Sequence, residues 1–381
     1  MHGPRLRSAT ALVVALLAVF GGLQPVAQVS AQAAPKASVL LNGADVSWLP
    51  TIEQDGSKFF DAKSKRVDPL VLMKNAGLSV ARVRLWVTPP NEHGSLAEVL
   101  ALAKRIKAAK LQLVLDIHFS DWWADPGHQA TPATWSSMNQ EQLVQQVSNY
   151  TTSVLTRLAR QGTSPTWVQV GNEIANGLLW PTGKLNKWSS AEFTIMNSLL
   201  NAAIAAVKNS SSHPKVMIHL ETGGDLGKTE GWFTNAFANG LTRPDAIGLS
   251  YYPQWSGSLD VIAANVKNVV EKFDLPVAIA ETAYLNSEKS SNRQLFDAAT
   301  NRLVSIAQSP SGQAAYASKI SSVLRTSAGT KALGVWWWEG ISPNTSKLRD
   351  SFDPAQISNS SLVTGSGKAN AAMTALGKAS R

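Results

Sequence analysis

Cysteine is absent from all 381 residues. That excludes a disulfide framework, a thiolate metal cluster, a cysteine nucleophile and lipid anchoring through an amino-terminal cysteine. Charge is sparse, at 16% of residues against 44% hydrophobic. With 13 tryptophans and 10 phenylalanines, such a chain buries a full core and is not disordered. The amino-terminal apolar run is too short to cross a membrane. The stretch Ala11–Phe20 follows Arg5 and Arg7 and precedes the small residues Ala31-Gln32-Ala33. This is the order of a secretory signal, so residues 1–33 read as a signal peptide and 34–381 as the exported chain, extracellular or periplasmic. After cleavage no membrane attachment is expected.

Acidic residues are few, 26 against 35 Lys and Arg, for a formal charge of +9. Removing residues 1–33 takes away two arginines and no acid, leaving +7. The basic residues are scattered and never form a run of five, which describes a solvated surface and not a nucleic-acid site. An acidic polymer matrix is a natural neighbour for such a surface. There is no Pro/Thr/Ser linker, no internal repeat and no glycine-rich phosphate turn.

What the chain does contain is an alternation. Short apolar runs occur at 38–43, 80–86, 111–118, 166–170, 215–220, 246–251, 276–280 and 333–337. Continuous apolar runs of that length suit strands buried on both faces. Between them lie helical spacings, such as Leu96, Val99, Leu100, Ala103 and Ile106, and Leu143, Val147, Tyr150 and Leu155. Gly77 and Gly162 stand where helices stop, and 193–207 and 259–273 repeat the theme. Eight strands alternating with helices predict a single-domain α/β protein, a (β/α)8 TIM barrel.

Catalytic groups of such barrels stand at the carboxyl ends of the strands. The fourth strand runs into Gly171-Asn172-Glu173 and the seventh into Glu281-Thr282. A carboxylate delivered by a buried strand is costly unless it is paired or functional. Two of them at opposite sides of one mouth suit glycoside hydrolysis. One donates a proton to the leaving oxygen and the other attacks the anomeric carbon. Carboxyls roughly 5–5.5 Å apart mean retention, and 6.5–9.5 Å inversion.

Neighbouring residues are candidates for supporting roles. Arg82, Arg84 and Trp86 share one face of the second strand. Arg84, near its end, is placed to keep a carboxylate ionised, with a structural salt bridge as the alternative. Ser250 leaves room beside Tyr252, whose hydroxyl is placed to donate to the nucleophile. Asn172 suits a sugar 2-hydroxyl. The third strand ends in a dense polar and aromatic segment with His118, Asp121, Trp122 and His128, and the fifth adds His219 and Asp225. These types suit sugar hydroxyls and ring faces. Trp86, Trp122 and a tryptophan of the eighth strand, Trp336, are the stacking candidates. No zinc or calcium-loop motif occurs, so no cofactor is expected. A structural calcium near Asp353 or after Glu281 stays open.

The segments GADVSW (43–48), ARVRLWV (81–87), DIHFSDWWADPGH (116–128), WVQVGNE (167–173), GLSYYP (248–253) and AET (280–282) together resemble the glycoside hydrolase family 53 endo-β-1,4-galactanases. The resemblance implies a barrel that cleaves internal β-1,4 bonds of galactan with retention, Glu173 being the acid/base and Glu281 the nucleophile. It implies a polysaccharide substrate, the galactan of pectin side chains; a monomer is expected. A related barrel acting on another β-1,4-glycan, mannan or glucan, is the alternative. Three stretches depart from the family pattern. The fifth strand ends in HLETG (219–223) where an Asp-Asn pair is usual. The eighth ends in WWWEG (336–340) where Tyr-Trp-Glu-Pro is common. The loop 286–294 lacks the acidic, asparagine-rich character that some bacterial members use for calcium.

Overall fold

The computed structural model describes residues 1–3, 39–287, 303–343 and 359–381. Residues 4–33 of the export segment, residues 288–294 of the suggested calcium loop and Asp353 lie outside the described residues. Residues 37–381 form one compact unit.

Eight parallel strands close on themselves: β1 (Gly43–Asp45), β2 (Val80–Leu85), β3 (Gln112–Ile117), β4 (Trp167–Val170), β5 (Lys215–Leu220), β6 (Ala246–Ser250), β7 (Val277–Thr282) and β8 (Ala332–Trp337). Each leads to a helix: α1 (Pro69–Ala76), α2 (Leu96–Ala108), α3 (Gln140–Arg160), α4 (Ser190–Lys208), α5 (Leu226–Ala238), α6 (Leu259–Phe273), α7 (Pro310–Ala328) and α8 (Ala371–Lys378). This is the expected (β/α)8 TIM barrel.

The strands match the apolar runs within a residue or two, except the first. The run 38–43 predicts a strand there, whereas β1 begins at Gly43. The reason is packing at the barrel seam. Gly43 lies opposite both Val80 and Trp336, and a Cβ on it would sit 2.2 Å from the Val80 carbonyl oxygen. Only glycine lets β1 close the ring, and the polar Asp45 that ends the strand turns inward and is buried. Gly77, with φ of 99°, ends α1 as expected.

The core has two parts. A large shell fills the space between strands and helices. A smaller plug inside the barrel contains Val80, Val114, Trp167, Met217, Ala278 and Trp336. Two residues further along the strands the interior turns polar, with Asp45, Arg82, Asp116, Gln169 and His219 all buried. Every second residue lies about 6.6 Å further along the strand. The apolar plug therefore forms a floor, and the polar layer over it carries the mouth.

Candidate active site

At the mouth lies a cavity of about 480 Å³, whose wall includes Arg84, His118, Trp123, Asn172, Glu173, Glu221, Ser250, Tyr252, Trp255, Glu281 and Trp338. Both strand-end glutamates stand on it.

Glu173 arrives there by an unusual backbone. After β4, Gly171 has φ of 79°, and a Cβ on it would lie 2.8 Å from Ile174 Cγ2. Glu173 itself is left-handed, with φ of 52° and ψ of 52°. A non-glycine residue in that region costs on the order of 1–2 kcal/mol. The turn sends Asn172 into the barrel and Glu173 toward β6, where Ser250 Oγ lies 2.6 Å from Glu173 Oε1. Ser250 is also the cross-strand partner of Glu281. One serine therefore touches the first glutamate and is paired in the sheet with the second.

Glu281 is held by cations and donors. Arg82 Nη2 lies 2.8 Å from Glu281 Oε1, and the Tyr252 hydroxyl donates to Oε2 at 3.1 Å. Arg82 also reaches Asp45 at 2.9 Å and Asp116 at 2.8 Å, and it donates to Gln169 and Asn172. Burial opposes its charge, but Asp116, Glu281 and Asp45 outweigh that and hold it firmly protonated.

The two glutamates feel different fields. Burial pushes Glu173 well above the ordinary carboxyl value, and Glu281 and Glu221 push it further. Burial raises Glu281 as well, to about 7, against the pull of Arg82. Of this coupled pair Glu173 keeps the proton, because its contact is the neutral Ser250 whereas Glu281 faces a guanidinium. The pair is thus set for one neutral acid and one carboxylate. Chemistry that needs both is lost as pH falls through about 7 and Glu281 takes a proton. It is lost again as pH rises through the raised value of Glu173. A bell-shaped kcat/KM profile with its acid limb near 7 is expected; a single-limbed profile would contradict the pairing.

The other predicted residues divide. Asn172, His118, Arg84 and Tyr252 are on the wall. Asn172 Oδ1 accepts from Arg82, and its amide donates to the Ala124 carbonyl at 2.8 Å. His118 Nδ1 accepts from Trp86 Nε1 and Ala124 N, so Nε2 carries the hydrogen and donates to Asp116 at 2.9 Å. Arg84 does not guard a catalytic carboxylate: it pairs with buried Glu339 at 2.9 Å. It is Arg82, one pleat deeper, that reaches Glu281.

Several residues expected at sugar contacts have other partners in the structure. Trp86 is fully buried and, with Trp48 and Trp123, forms an aromatic cage around Arg84. Trp122 packs against Trp86 with centroids 4.5 Å apart and is not on the cavity wall. Trp336 belongs to the barrel floor, its indole donating to the Leu41 carbonyl; Trp338, one pleat higher, lines the cavity instead. Asp121 accepts from Thr88 N and Ala133 N and braces two loops. The His128 side chain is 76% exposed and pairs with Asp125 in a tight turn. Asp225 caps α5 through Lys228 N. His219 is wholly buried behind Ser250.

Arg82, Trp123, Glu221, Trp255 and Trp338 also line the cavity, although strand-end position alone does not single them out from their neighbours. Trp255, on the loop after β6, is 61% exposed at the rim. Glu221 is a third carboxyl on the wall, raised by burial and held by Lys228 at 3.3 Å.

Known proteins share this architecture. The model of "Glycosyl hydrolase family 53" matches residues 41–376. The chain is 34% identical over 311 residues to a probable arabinogalactan endo-beta-1,4-galactanase A of Neosartorya fischeri, covering 80% of this chain and 84% of that one. A catalytic domain of the same family from Ignisphaera aggregans superposes with a TM-score of 0.81 at 29% identity, over 89% of this chain and 95% of that one. A fungal beta-1,4-galactanase structure superposes with a TM-score of 0.79 at 29% identity, over 89% of this chain and 99% of that one.

Proposed function

The chain belongs to glycosyl hydrolase family 53, and from that premise we propose that it cleaves internal β-1,4-galactosidic bonds of galactan, including the type I arabinogalactan side chains of pectin, with retention of anomeric configuration. The observation that carries the reading is the joining of two unlike carboxyls by Ser250: its hydroxyl meets Glu173, and its backbone lies beside Glu281.

In this reading Glu173 gives its proton to the glycosidic oxygen while Glu281 attacks the anomeric carbon. The carbon–oxygen bond to the leaving chain breaks, and a galactosyl ester forms on Glu281. Water then enters, Glu173 takes its proton, and the ester opens to a β-configured product. Arg82 and Tyr252 keep the Glu281 carboxylate in place. Trp123, Trp255 and Trp338 offer aromatic faces for galactose rings, which present apolar C–H surfaces. Two carboxyls suffice for this chemistry, so no cofactor is invoked. A cleft completed by one chain's own residues is consistent with a monomer. Export is supported by the amino-terminal signal pattern and by the polymeric substrate, which does not enter cells intact.

Purified galactan digested by the enzyme is expected to yield short oligosaccharides early and galactose late, if at all, with the β-anomer appearing first by proton NMR. Mannan and glucan are expected to release few reducing ends. Initial α-anomer, or preference for either other glycan, would sink the proposal.

A further inference from the structure

Behind the cavity wall runs a chain of contacts that the two-step hydrolysis leaves unused; its reading rests on Glu173 being the acid/base. Ser250 Oγ lies 2.6 Å from Glu173 Oε1 and 2.9 Å from His219 Nε2. On the other side of the ring, His219 Nδ1 lies 2.9 Å from Asn172 Oδ1. The identity of that amide oxygen is secured by Arg82 Nη2 at 2.9 Å, because a guanidinium only donates. An amide oxygen only accepts, and we assign the ring hydrogen to the nitrogen that faces it, Nδ1. Burial and the nearby Arg82 hold His219 well below its ordinary value and keep the ring neutral. A neutral ring with its hydrogen on Nδ1 leaves Nε2 as a bare acceptor toward Ser250. Gln169 Nε2, 3.0 Å from Nδ1, has oxygen acceptors in Asp116 Oδ1 at 2.6 Å, Asn172 Oδ1 at 3.0 Å and the Gly171 carbonyl at 3.3 Å, and the assignment gives its two hydrogens to these oxygens.

A serine hydroxyl has one hydrogen and two neighbours that want it. The geometry points to Ser250 acting as a hydroxyl rotor, and to His219 as the positioning residue that sets it. While Glu173 carries its proton, the Ser250 hydrogen turns to His219 Nε2, and the serine oxygen is free to accept from the Glu173 hydroxyl. Once Glu173 has given its proton to the leaving oxygen, the Ser250 hydrogen swings to the new carboxylate. No proton changes owner inside the relay; only one O–H bond rotates. Each form of the acid/base finds a matching partner, and the buried acid is kept neutral until it is used.

The groups facing this pair are fixed independently. Glu173 faces Glu281 from β7, Glu221 after β5 and Asp125 after β3, with Tyr252 nearby. His219 faces Arg82 from β2 and Asp116 and His118 from β3.

The deciding variant is His219→Asn, which keeps a donor for Asn172 at the Nδ1 position and removes the acceptor for Ser250. Ser250 then donates to Glu173 at all times and favours its carboxylate. The alkaline limb of kcat/KM on galactan is expected to move down by about one pH unit, a tenfold loss on that limb. Cleavage of an aryl galactobioside with an activated leaving group, which needs little acid help, should change little. His219→Gln, whose carbonyl reaches the Nε2 position, should restore part of the limb. In a Ser250→Ala background the His219→Asn shift should vanish, since the coupling runs through the hydroxyl. Nitrogen NMR of ¹⁵N-histidine-labelled protein should show Nδ1 protonated and Nε2 bare. An unmoved limb in a folded His219→Asn protein, a shift that survives without Ser250, or a hydrogen on Nε2 would each overturn the relay. If Glu173→Ala keeps the alkaline limb, it is the acid/base assignment that fails.

Discussion

Glu281→Ala is expected to lower kcat on galactan by about 10⁴-fold or more, because the covalent route disappears with its nucleophile. The loss alone would not separate a nucleophile from a structural carboxylate. Azide makes the separation. In the Glu281→Ala cavity a small anion can attack the anomeric carbon from the side that Glu281 occupied, while Glu173 still protonates the leaving oxygen. The product is an α-galactosyl azide. In Glu173→Ala the galactosyl ester still forms on a substrate with a good leaving group, and azide then displaces Glu281 to give the β-galactosyl azide. The two glutamates are thus told apart by the configuration of a single product. Rescue of Glu281→Ala to the β-azide would exchange their roles, and near-wild-type hydrolysis by that variant would end the two-carboxyl mechanism.

Arg82→Met is the second change with a large expected effect, and it acts on stability and on chemistry together. Arg82 is buried and ion-paired to Asp45, Asp116 and Glu281. Its removal leaves these carboxylates facing one another without a cation. Breaking a buried pair typically costs about 3–5 kcal/mol. The remaining acids must take up protons, so the damage grows as pH rises. Glu281, already raised to about 7 with Arg82 in place, moves higher and is less often ionised, so the acid limb of the activity profile shifts upward. A urea melt at two pH values measures the first effect and the kcat/KM profile the second. Arg82→Lys keeps a charge but not the fork that spans several strands, and it should fall between the two. A melt within about 0.5 kcal/mol of the parent would show that the cluster carries little of the fold.

Arg82 and Arg84 together mark how far the sequence can be read. Period-two alternation puts both arginines on one face of β2, and that reading is right. It says nothing of depth. Nearness to the strand end favours Arg84, yet a long arginine rooted lower can reach the mouth from below. Trp336 and Trp338 repeat the lesson on β8. The face is readable, but the layer depends on where β1 meets both β8 and β2, and that register is made by Gly43 against Val80 and Trp336. Helices are easier. The span 259–273 is readable in full because apolar spacing and its ends are both local signals. Loop side chains are hardest. Asp121, His128 and Asp225 have the composition of a sugar site, but each is used to hold a turn or a helix end, and no periodicity reveals where a loop side chain points. Glu173 and Glu281 are visible because apolar strands lead straight into them, an incongruity that needs no alignment to notice.

The left-handed backbone at Glu173 carries one further implication. Glycine is the residue that would rest easily in that conformation, and shortening Glu173 to it would relieve the turn while silencing the acid. Natural selection for robustness alone and selection for turnover therefore pull this position in opposite directions. A search for hardier variants that screens only for survival on heating will drift toward inert protein here, so such a screen must keep catalysis in its readout.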